Sequence, residues 1–246
     1  MSNLNLGESA DMSQSGAYPD TYKDRIIDAA LRLAVSRPWG EISLREIAQA
    51  AGSNLVELRG SFSSKADIIA AFTRRIDDEV LTKIPPMEKG QSHRDALFEV
   101  LMTRFDALQP HKEAVRSIMN GVGLEPSLLA PSLASQSWML QAAGINTDGA
   151  RGSLRVAGLA TLYASVLRTW LEDDDPGLAR TMAVLDRRLR RGERALETVE
   201  DAAGFVGRVG GIFRSAMRRK DKSGREHETS APPAGTAPQP PQPEAP

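Results

Sequence analysis

The side chains that most often catalyse reactions are few in this sequence, and their spacing matches no catalytic motif. The chain has no cysteine, which excludes disulfides, thiolate metal sites and cysteine nucleophiles. Its three histidines, His93, His111 and His227, lack the short spacing of a metal-binding pair. A nucleophile elbow, a zinc-protease helix motif and a phosphate-binding glycine loop are also missing. We therefore expect neither an enzyme nor a metal or cofactor site.

A different set of polar residues suits the recognition of a nucleic acid. It lies in and beside the stretch AAGSNLVELRGSFSSK, from Ala50 to Lys65. Asparagine and arginine can bond to base edges, whereas serine and lysine can reach phosphate oxygens. The predicted contact residues are Ser43, Arg45, Asn54, Glu57, Arg59, Ser61 and Lys65. We expect Asn54 and Arg59 to meet base edges, and Lys65 to meet a phosphate at a helix start.

These side chains need a helix-turn-helix to position them, and the surrounding pattern predicts one. Apolar residues recur at three- and four-residue intervals, which predicts a first helix from about Tyr22 to Arg37. Ser43 caps a second helix, and Glu46 three residues later completes a capping box. Gly52 then suits a sharp turn, because glycine adopts positive φ without a steric penalty.

A third, short helix is predicted for roughly Asn54 to Ser61, with Phe62 following it as an apolar anchor. Either Ser63 or Ser64 caps a fourth helix, which continues to about Lys83 and ends at the following prolines. The order of helix, capped helix, glycine, short helix and aromatic residue is that of a DNA-reading unit.

The segments ISLREIAQAAG (Ile42 to Gly52) and SFSSKADII (Ser61 to Ile69) resemble the DNA-binding domain of the TetR family of bacterial repressors. The resemblance implies an all-α, TetR-like fold with a DNA-binding head at 21–66 and a helical ligand-binding and dimerisation domain at 67–220. It further implies a transcriptional regulator, in the family's usual form a ligand-responsive repressor, that binds a double-stranded DNA operator as a homodimer.

The predicted recognition helix departs from the pattern of that family. Arg59 stands where family members usually have tyrosine, and Ser61 where histidine is common. The carboxylate of Glu57 repels phosphate, although glutamate can accept a hydrogen bond from cytosine. Residues 21–66 contain seven basic and five acidic residues, a net charge of +2. Because phosphate neutralisation supplies most non-specific affinity, we expect modest and salt-sensitive DNA binding.

The remaining pattern predicts five more helices, near 92–108, 110–121, 126–143, 151–172 and 176–218. Large apolar residues on them suit an adaptable cavity for a small apolar ligand. They are Met102, Phe105, Met119, Trp138, Met139, Tyr163, Leu167 and Trp170. The same residues suit an ordinary core, and both alternatives remain open. The acidic run Asp173 to Asp175 fits a solvated turn at a helix start better than a metal site.

Both ends of the chain are predicted to be disordered and the protein cytoplasmic. Residues 1–20 are polar and lack the basic start and apolar run of a secretory signal. Residues 221–246 form a proline-rich tail, which contains seven of the 15 prolines in the chain. The uncharged apolar stretch Val156 to Leu167 is too short to span a bilayer.

A second resemblance supports an alternative function. The segment TWLEDDDPGLARTMAVLDRRL (Thr169 to Leu189) is similar to the C-terminal part of lipid-binding ubiquinone-biosynthesis accessory proteins, which share the TetR fold. Residues 181–220 carry ten basic and five acidic residues, which suits either a solvated basic face or an anionic membrane surface. The alternative is therefore a lipid or isoprenoid carrier that contacts a membrane or a partner enzyme through this segment instead of binding DNA.

Overall fold

The structure, a computed structural model, describes residues 21–122 and 125–194. Within these ranges the regular backbone is helical throughout and contains no β-strand, which confirms the predicted all-α class. The helices are α1 (Tyr22–Ser36), α2 (Leu44–Ala50), α3 (Leu55–Arg59), α4 (Lys65–Lys83), α5 (His93–Leu108), α6 (Lys112–Val122), α7 (Leu129–Ala142), α8 (Gly149–Leu171) and α9, whose described part covers residues 179–194. Short 3-10 turns occupy Trp39–Glu41, Gln109–His111 and Pro126–Leu128.

The starts of α2 and α4 are set by side-chain caps, as the sequence predicts. Ser43 accepts from the backbone N–H of Glu46, whose carboxylate accepts from the backbone N–H of Ser43. At α4 the cap is Ser64, and Asp67 completes a second capping box. Each box satisfies backbone donors that a helix start would otherwise leave unpaired. The helix boundaries near the head therefore follow from short-range chemistry.

Two predicted boundaries differ from the observed ones because the chain turns before each helix starts. The predicted 176–218 helix begins at residue 179, since Asp175 caps the turn by accepting from the N–H groups of Gly177 and Ala179. The predicted 126–143 helix begins with a 3-10 turn at Pro126–Leu128. The predicted arm at 1–20, the tail at 221–246 and the helix beyond residue 194 lie outside the described residues.

A continuous apolar core joins the head (21–66) to the rest of the described chain (67–194, hereafter the body). Ile26, Ile47 and Leu58 are fully buried within the head. Phe105 and Trp170 are equally buried within the body. Helix α6 packs against α1, and α4 packs against both α5 and α7. None of the described helices combines the length and apolarity that a bilayer-spanning helix needs.

The loop between α1 and α2 is held by α6. The hydroxyl of Ser117 donates to the carbonyl of Arg37 at 3.1 Å and accepts from the backbone N–H of Trp39 at 3.1 Å. A Cβ atom placed on Gly121 would lie 2.9 Å from the backbone nitrogen of Gly40. Only a glycine at position 121 permits this approach. The body therefore holds this loop through both the Ser117 side chain and the close backbone approach at Gly121.

Candidate nucleic-acid interface

The turn between α2 and α3 is closed by backbone hydrogen bonds around Gly52. Gly52 has φ +68°, and its N–H donates to the carbonyl of Gln49 at 3.0 Å. The next N–H, of Ser53, donates to the carbonyl of Ala48 at 2.9 Å. A residue with a Cβ is strained at such a φ. The predicted role of Gly52 in the turn is thus confirmed.

A chain of three polar side chains then fixes the start of α3. The hydroxyls of Tyr22 and Ser53 are 2.7 Å apart, and Ser53 donates to the carboxylate of Glu57 at 2.6 Å. The glutamate predicted to meet the groove is exposed, and one of its carboxylate oxygens already accepts a hydrogen bond from Ser53. Sequence reasoning missed Tyr22, which it assigned only to the start of α1.

Asn54 caps α3, which changes what its side chain can offer. Its Oδ1 accepts from the backbone N–H groups of Val56 at 2.9 Å and Glu57 at 3.0 Å. Reading adenine in the way that asparagine usually does requires both the carbonyl oxygen and the amide N–H₂. Because the oxygen is committed to the backbone, we revise the prediction that Asn54 reads a base edge. Its role in the structure is to start the helix.

Lys65 also lies differently from its prediction. Its ammonium donates to the carbonyl oxygens of Trp39 and Ile42, at 2.8 Å each. Burial lowers the pKa of Lys65 below its usual value. The start of α4, where a phosphate was expected, already holds the carboxylate of Asp67, which accepts from the N–H groups of Ser63 and Ser64. We therefore remove Lys65 from the set of phosphate contacts.

Ser43, another predicted contact, is committed in the same way. Its hydroxyl donates to Glu46 at 2.7 Å, and Glu46 also forms an ion pair with Arg37 at 2.9 Å. The backbone and side-chain hydrogen bonds from Ser43, with that of Arg37, lower the pKa of Glu46 to about 2. The carboxylate of Glu46 thus stays ionised at all physiological pH values. The Ser43 hydroxyl bonds to it instead of pointing away from the head.

Two predicted contacts, Arg45 and Arg59, are exposed and available. Neither forms a hydrogen bond or ion pair with any part of the described chain. Ser61 is half-buried beside Arg59 and lines an open cleft of about 480 Å³. The other lining residues are Tyr22, Arg25, Glu57 and Gly60. The guanidinium carbon of Arg25 lies 5.6 Å from the centre of the Tyr22 ring, which holds this cation at the edge of the cleft.

Three cations on α1 were not predicted as contacts. Lys23, Arg25 and Arg32 are all exposed on the helix that precedes the helix-turn-helix. The signal for them was present, because they stand at the polar positions between the apolar residues of α1. With Arg45 and Arg59 they form a set of five outward cations on the head.

The first turn of α3 also exposes two aliphatic side chains. Val56 is 83% exposed and Leu55 is 39% exposed. The next leucine, Leu58, is 1% exposed and forms the inner side of the same helix. We call Leu55, Val56 and Arg59 together the outer face of α3. The described part of the chain leaves this face open to solvent.

The predicted ligand-binding residues separate into a packed group and an exposed pair. The rings of Tyr163 and Trp170 stack on Phe105 with centroids 5.5 and 5.7 Å apart. Met139 and Leu167 are buried and Met102 is half-buried in the same core. Met119 and Trp138 are 44% and 53% exposed, so they cannot line an internal cavity. Met119 lies on the outer side of α6 and Trp138 on the outer side of α7.

A buried polar cluster beside these rings was missed by sequence reasoning. Arg104 forms an ion pair with Asp77, and both side chains are at most 7% exposed. Ser135 donates to Asp77 at 2.9 Å, and the Nε of Arg104 donates to the hydroxyl of Tyr163 at 3.0 Å. The buried Oε1 of Gln136 has no hydrogen-bond partner among the residues that the structure describes. The cluster ties α4, α5, α7 and α8 together through charged hydrogen bonds.

The acidic run at 173–175 has a structural role at the start of α9. Asp173 is 4% exposed and accepts from both the N–H and the hydroxyl of Thr181, at 2.7 Å each. Desolvation opposes its ionisation, but the hydrogen bonds from Thr181 outweigh this and lower the pKa of Asp173. No group of three potential metal ligands occurs among the residues that the structure describes.

The same fold occurs in solved structures. A TetR transcriptional regulator from Nitrosomonas europaea has a TM-score of 0.56 and 22% sequence identity, over 71% of this chain and 99% of that one. A TetR transcriptional regulator from Rhodococcus sp. RHA1 has a TM-score of 0.55 and 20% identity, over 70% of this chain and 94% of that one. No protein-family model and no curated protein matches the sequence. At these identities the likeness establishes the fold, and the predicted TetR-like architecture is confirmed.

Proposed function

We propose that this chain is a DNA-binding transcriptional regulator of the TetR type, and that the outer face of α3 enters the major groove. One observation carries the proposal: this face is open, with Val56 83% exposed and Arg59 free of partners among the described residues. In a helix-turn-helix, the N-terminal residues of the second helix contact base edges while the first helix crosses the backbone. The closed turn at Gly52 and the cap at Asn54 support the proposal, because they set where α3 starts relative to α2.

The exposed cations of the head supply the contacts to phosphate. Lys23, Arg25 and Arg32 lie on α1, and Arg45 lies on α2. Phosphate contacts fix the register of the protein on the duplex, and each neutralised phosphate contributes about −0.9 to the slope of log affinity against log salt. Arg59 is the side chain best placed for a bidentate contact with guanine.

The regulator is proposed to act as a homodimer on two half-sites. One face of α8 exposes Leu154, Ala157, Gly158 and Thr161, and no charged residue occurs between Arg155 and Arg168. Small and apolar side chains at three- and four-residue spacing allow a second helix to approach closely. We expect Ala157→Glu to convert the dimer to monomers in mass photometry.

A small apolar effector is proposed to bind in the body. Met102, Met139 and Phe105 offer adaptable apolar contacts, and the unpartnered Oε1 of Gln136 offers a buried acceptor. Helix α4 begins at the head and carries Asp77 into the buried cluster. An effector that displaces α4 would therefore change the separation of the two heads. Enhanced fluorescence of the probe anilinonaphthalene sulfonate in the wild type, reduced by a true effector and by Met139→Glu, tests this part.

Fluorescence anisotropy with a duplex from the region upstream of the coding sequence tests DNA binding at two salt concentrations. We expect saturable binding that weakens as salt rises, since counterions compete for the phosphates. Arg59→Ala should lower the affinity by about tenfold or more per half-site, because a good base contact is worth about 1–3 kcal/mol. The matched control is Arg188→Ala, because Arg188 is equally exposed but lies on α9. Equal losses for the two variants would contradict a specific role of α3.

The alternative function, a lipid carrier that contacts membranes, depends on the basic segment at 181–220. Its described part exposes Arg187, Arg188 and Arg191 on α9, and the rest lies outside the described residues. Sedimentation with anionic liposomes distinguishes the two functions. Co-sedimentation that is lost on deleting the residues after Gly204, with no shift of any duplex, would favour the carrier and overturn the DNA-binding proposal.

A further inference from the structure

The polar side chains at the start of α3 are already committed to the protein itself. Asn54 caps the helix, and Ser53 bridges Tyr22 and Glu57. A side chain whose acceptor is occupied at this distance offers little to a base edge. Direct reading by the first turn of α3 must therefore depend on its remaining side chains.

Those remaining side chains are apolar. Val56 is 83% exposed and Leu55 is 39% exposed, and they are adjacent in the first turn of α3. Val56 is the most exposed large hydrophobic residue of the described chain. Removing so exposed an apolar side chain from water lowers the free energy. A partner that covers Val56 would therefore be bound more tightly.

We propose that Val56, with Leu55 beside it, reads the C5-methyl group of a thymine in each operator half-site; this inference rests on the proposed function. Thymine is the base that presents an apolar group in the major groove, and an aliphatic side chain is its natural partner. Opposite the other bases, Val56 would cover polar edge atoms without offering them a hydrogen bond. Such burial costs free energy, so Val56 selects thymine both by attraction and by penalising its replacements.

Replacing thymine by deoxyuridine tests this contact, because the substitution removes only the C5-methyl group. The probe is a duplex selected by the wild-type protein from a random-sequence pool. Burying one methyl group changes affinity by about fourfold. We therefore expect deoxyuridine at the contacted thymine of one half-site to weaken wild-type binding about fourfold, and at the equivalent thymines of both half-sites about fifteenfold.

The Val56→Ala variant identifies which side chain senses the methyl group. For this variant we expect the thymine and deoxyuridine duplexes to bind within about twofold of each other. The control is Val35→Ala, because Val35 is also an exposed valine, at 61%, but lies on α1. Val35→Ala should keep the full preference for thymine. Both substitutions are at exposed positions, where effects on stability are small.

The outcomes separate this inference from the function on which it rests. If no duplex is enriched and binding shows no sequence preference, the proposed function itself fails. If a duplex is bound specifically but no thymine responds to loss of its methyl group, the reading by Val56 is wrong and the function stands. A Val56→Ala variant that keeps the wild-type preference for thymine over deoxyuridine would also overturn the inference.

Discussion

The ammonium nitrogen of Lys65 lies 2.8 Å from the carbonyl oxygen of Trp39 and 4.9 Å from the centre of its indole ring. The same nitrogen donates to the carbonyl of Ile42, so one side chain of α4 holds both ends of the 3-10 turn that precedes α2. Trp39 itself is 3% exposed. Lys65, which the sequence predicted to meet a phosphate, thus bonds within the head and stabilises the turn before α2.

Replacing Lys65 with methionine should therefore destabilise the protein. Two carbonyl oxygens would lose a charged donor, and such hydrogen bonds are worth about 1.5–3 kcal/mol each in buried settings. Since Lys65 is only partly buried, we expect a loss of about 1–3 kcal/mol in urea unfolding. Lys23→Met is the control, because Lys23 is exposed on α1, and should change stability by less than about 0.5 kcal/mol. Equal stability of the two variants would contradict the structural role of Lys65.

Gly121 tests how closely the body approaches the head. The Cβ of an alanine there would lie 2.9 Å from Gly40 N and 3.0 Å from the Cβ of Trp39. We expect Gly121→Ala to lose about 1–3 kcal/mol, because the α1–α2 loop must move to relieve the contact. Gly192→Ala, on α9 with no atom within 4 Å of the new Cβ, should instead gain up to about 1 kcal/mol. A gain for both variants in thermal unfolding would show that α6 and the loop are not in contact.

The sequence could predict the head because its elements are specified by neighbours in the chain. The Ser43–Glu46 capping box and the turn at Gly52 act over three to five residues, and both were found as predicted. Phe62 is buried, also as predicted. It could not predict the partners of Lys65, which lie 26 and 23 residues away. Polarity alone marked Lys65 as a surface residue, whereas a long side chain can turn inward when carbonyl oxygens lie within reach.

The body shows the same limit at its buried cluster. Asp77, Arg104 and Ser135 are polar residues on three different helices, and no local pattern indicates that they meet. Met119 and Trp138 were predicted to line a cavity because they are large and apolar, but both are exposed. A helix can carry a large apolar side chain on its outer side. Predicting either case requires knowing how the helices are arranged, which periodicity does not give.

The ion pair between Asp77 and Arg104 should show strong coupling in a double-mutant cycle. Arg104→Met leaves the carboxylate of Asp77 buried without its charged partner, which typically costs about 3–5 kcal/mol. The double variant Asp77→Leu/Arg104→Met removes both charges, so we expect it to be more stable than Arg104→Met alone. Urea unfolding of both single variants and the double variant measures the coupling energy. Losses that simply add would mean that the two charges do not stabilise each other.

His111 should make the stability of the body depend on pH. The pKa of His111 is lower than its usual value, chiefly because the ring is partly buried and also because the guanidinium of Arg75 is near. The carboxylates of Asp28 and Glu79 raise the pKa, but by less. As the pH falls through about 6.5, the unfolded chain binds a proton that the folded protein resists, so stability decreases toward acid. We expect the urea midpoint of the wild type to fall between pH 7.5 and pH 5.5.

The His111→Gln variant isolates this effect, because it cannot bind the proton. The ring of His111 packs edge-on against Phe72 with centroids 5.3 Å apart, so the variant should be less stable at both pH values. The fall in its urea midpoint between the two pH values should, however, be smaller than in the wild type. An identical fall in the two proteins would assign the pH dependence to other groups.

The central claim, that α3 faces a duplex, is tested most directly by cleaving DNA from a single position on the head. The chain has no cysteine, so Ser63→Cys provides one attachment point for an iron–EDTA reagent, at an exposed residue just beyond α3. Ser127→Cys, at an exposed site on the body, is the control. We predict strand cleavage by the Ser63→Cys conjugate at two clusters separated by about 10 base pairs or a multiple of that, with none from Ser127→Cys. Uncut DNA, or the same cleavage pattern from both conjugates, would contradict the claim.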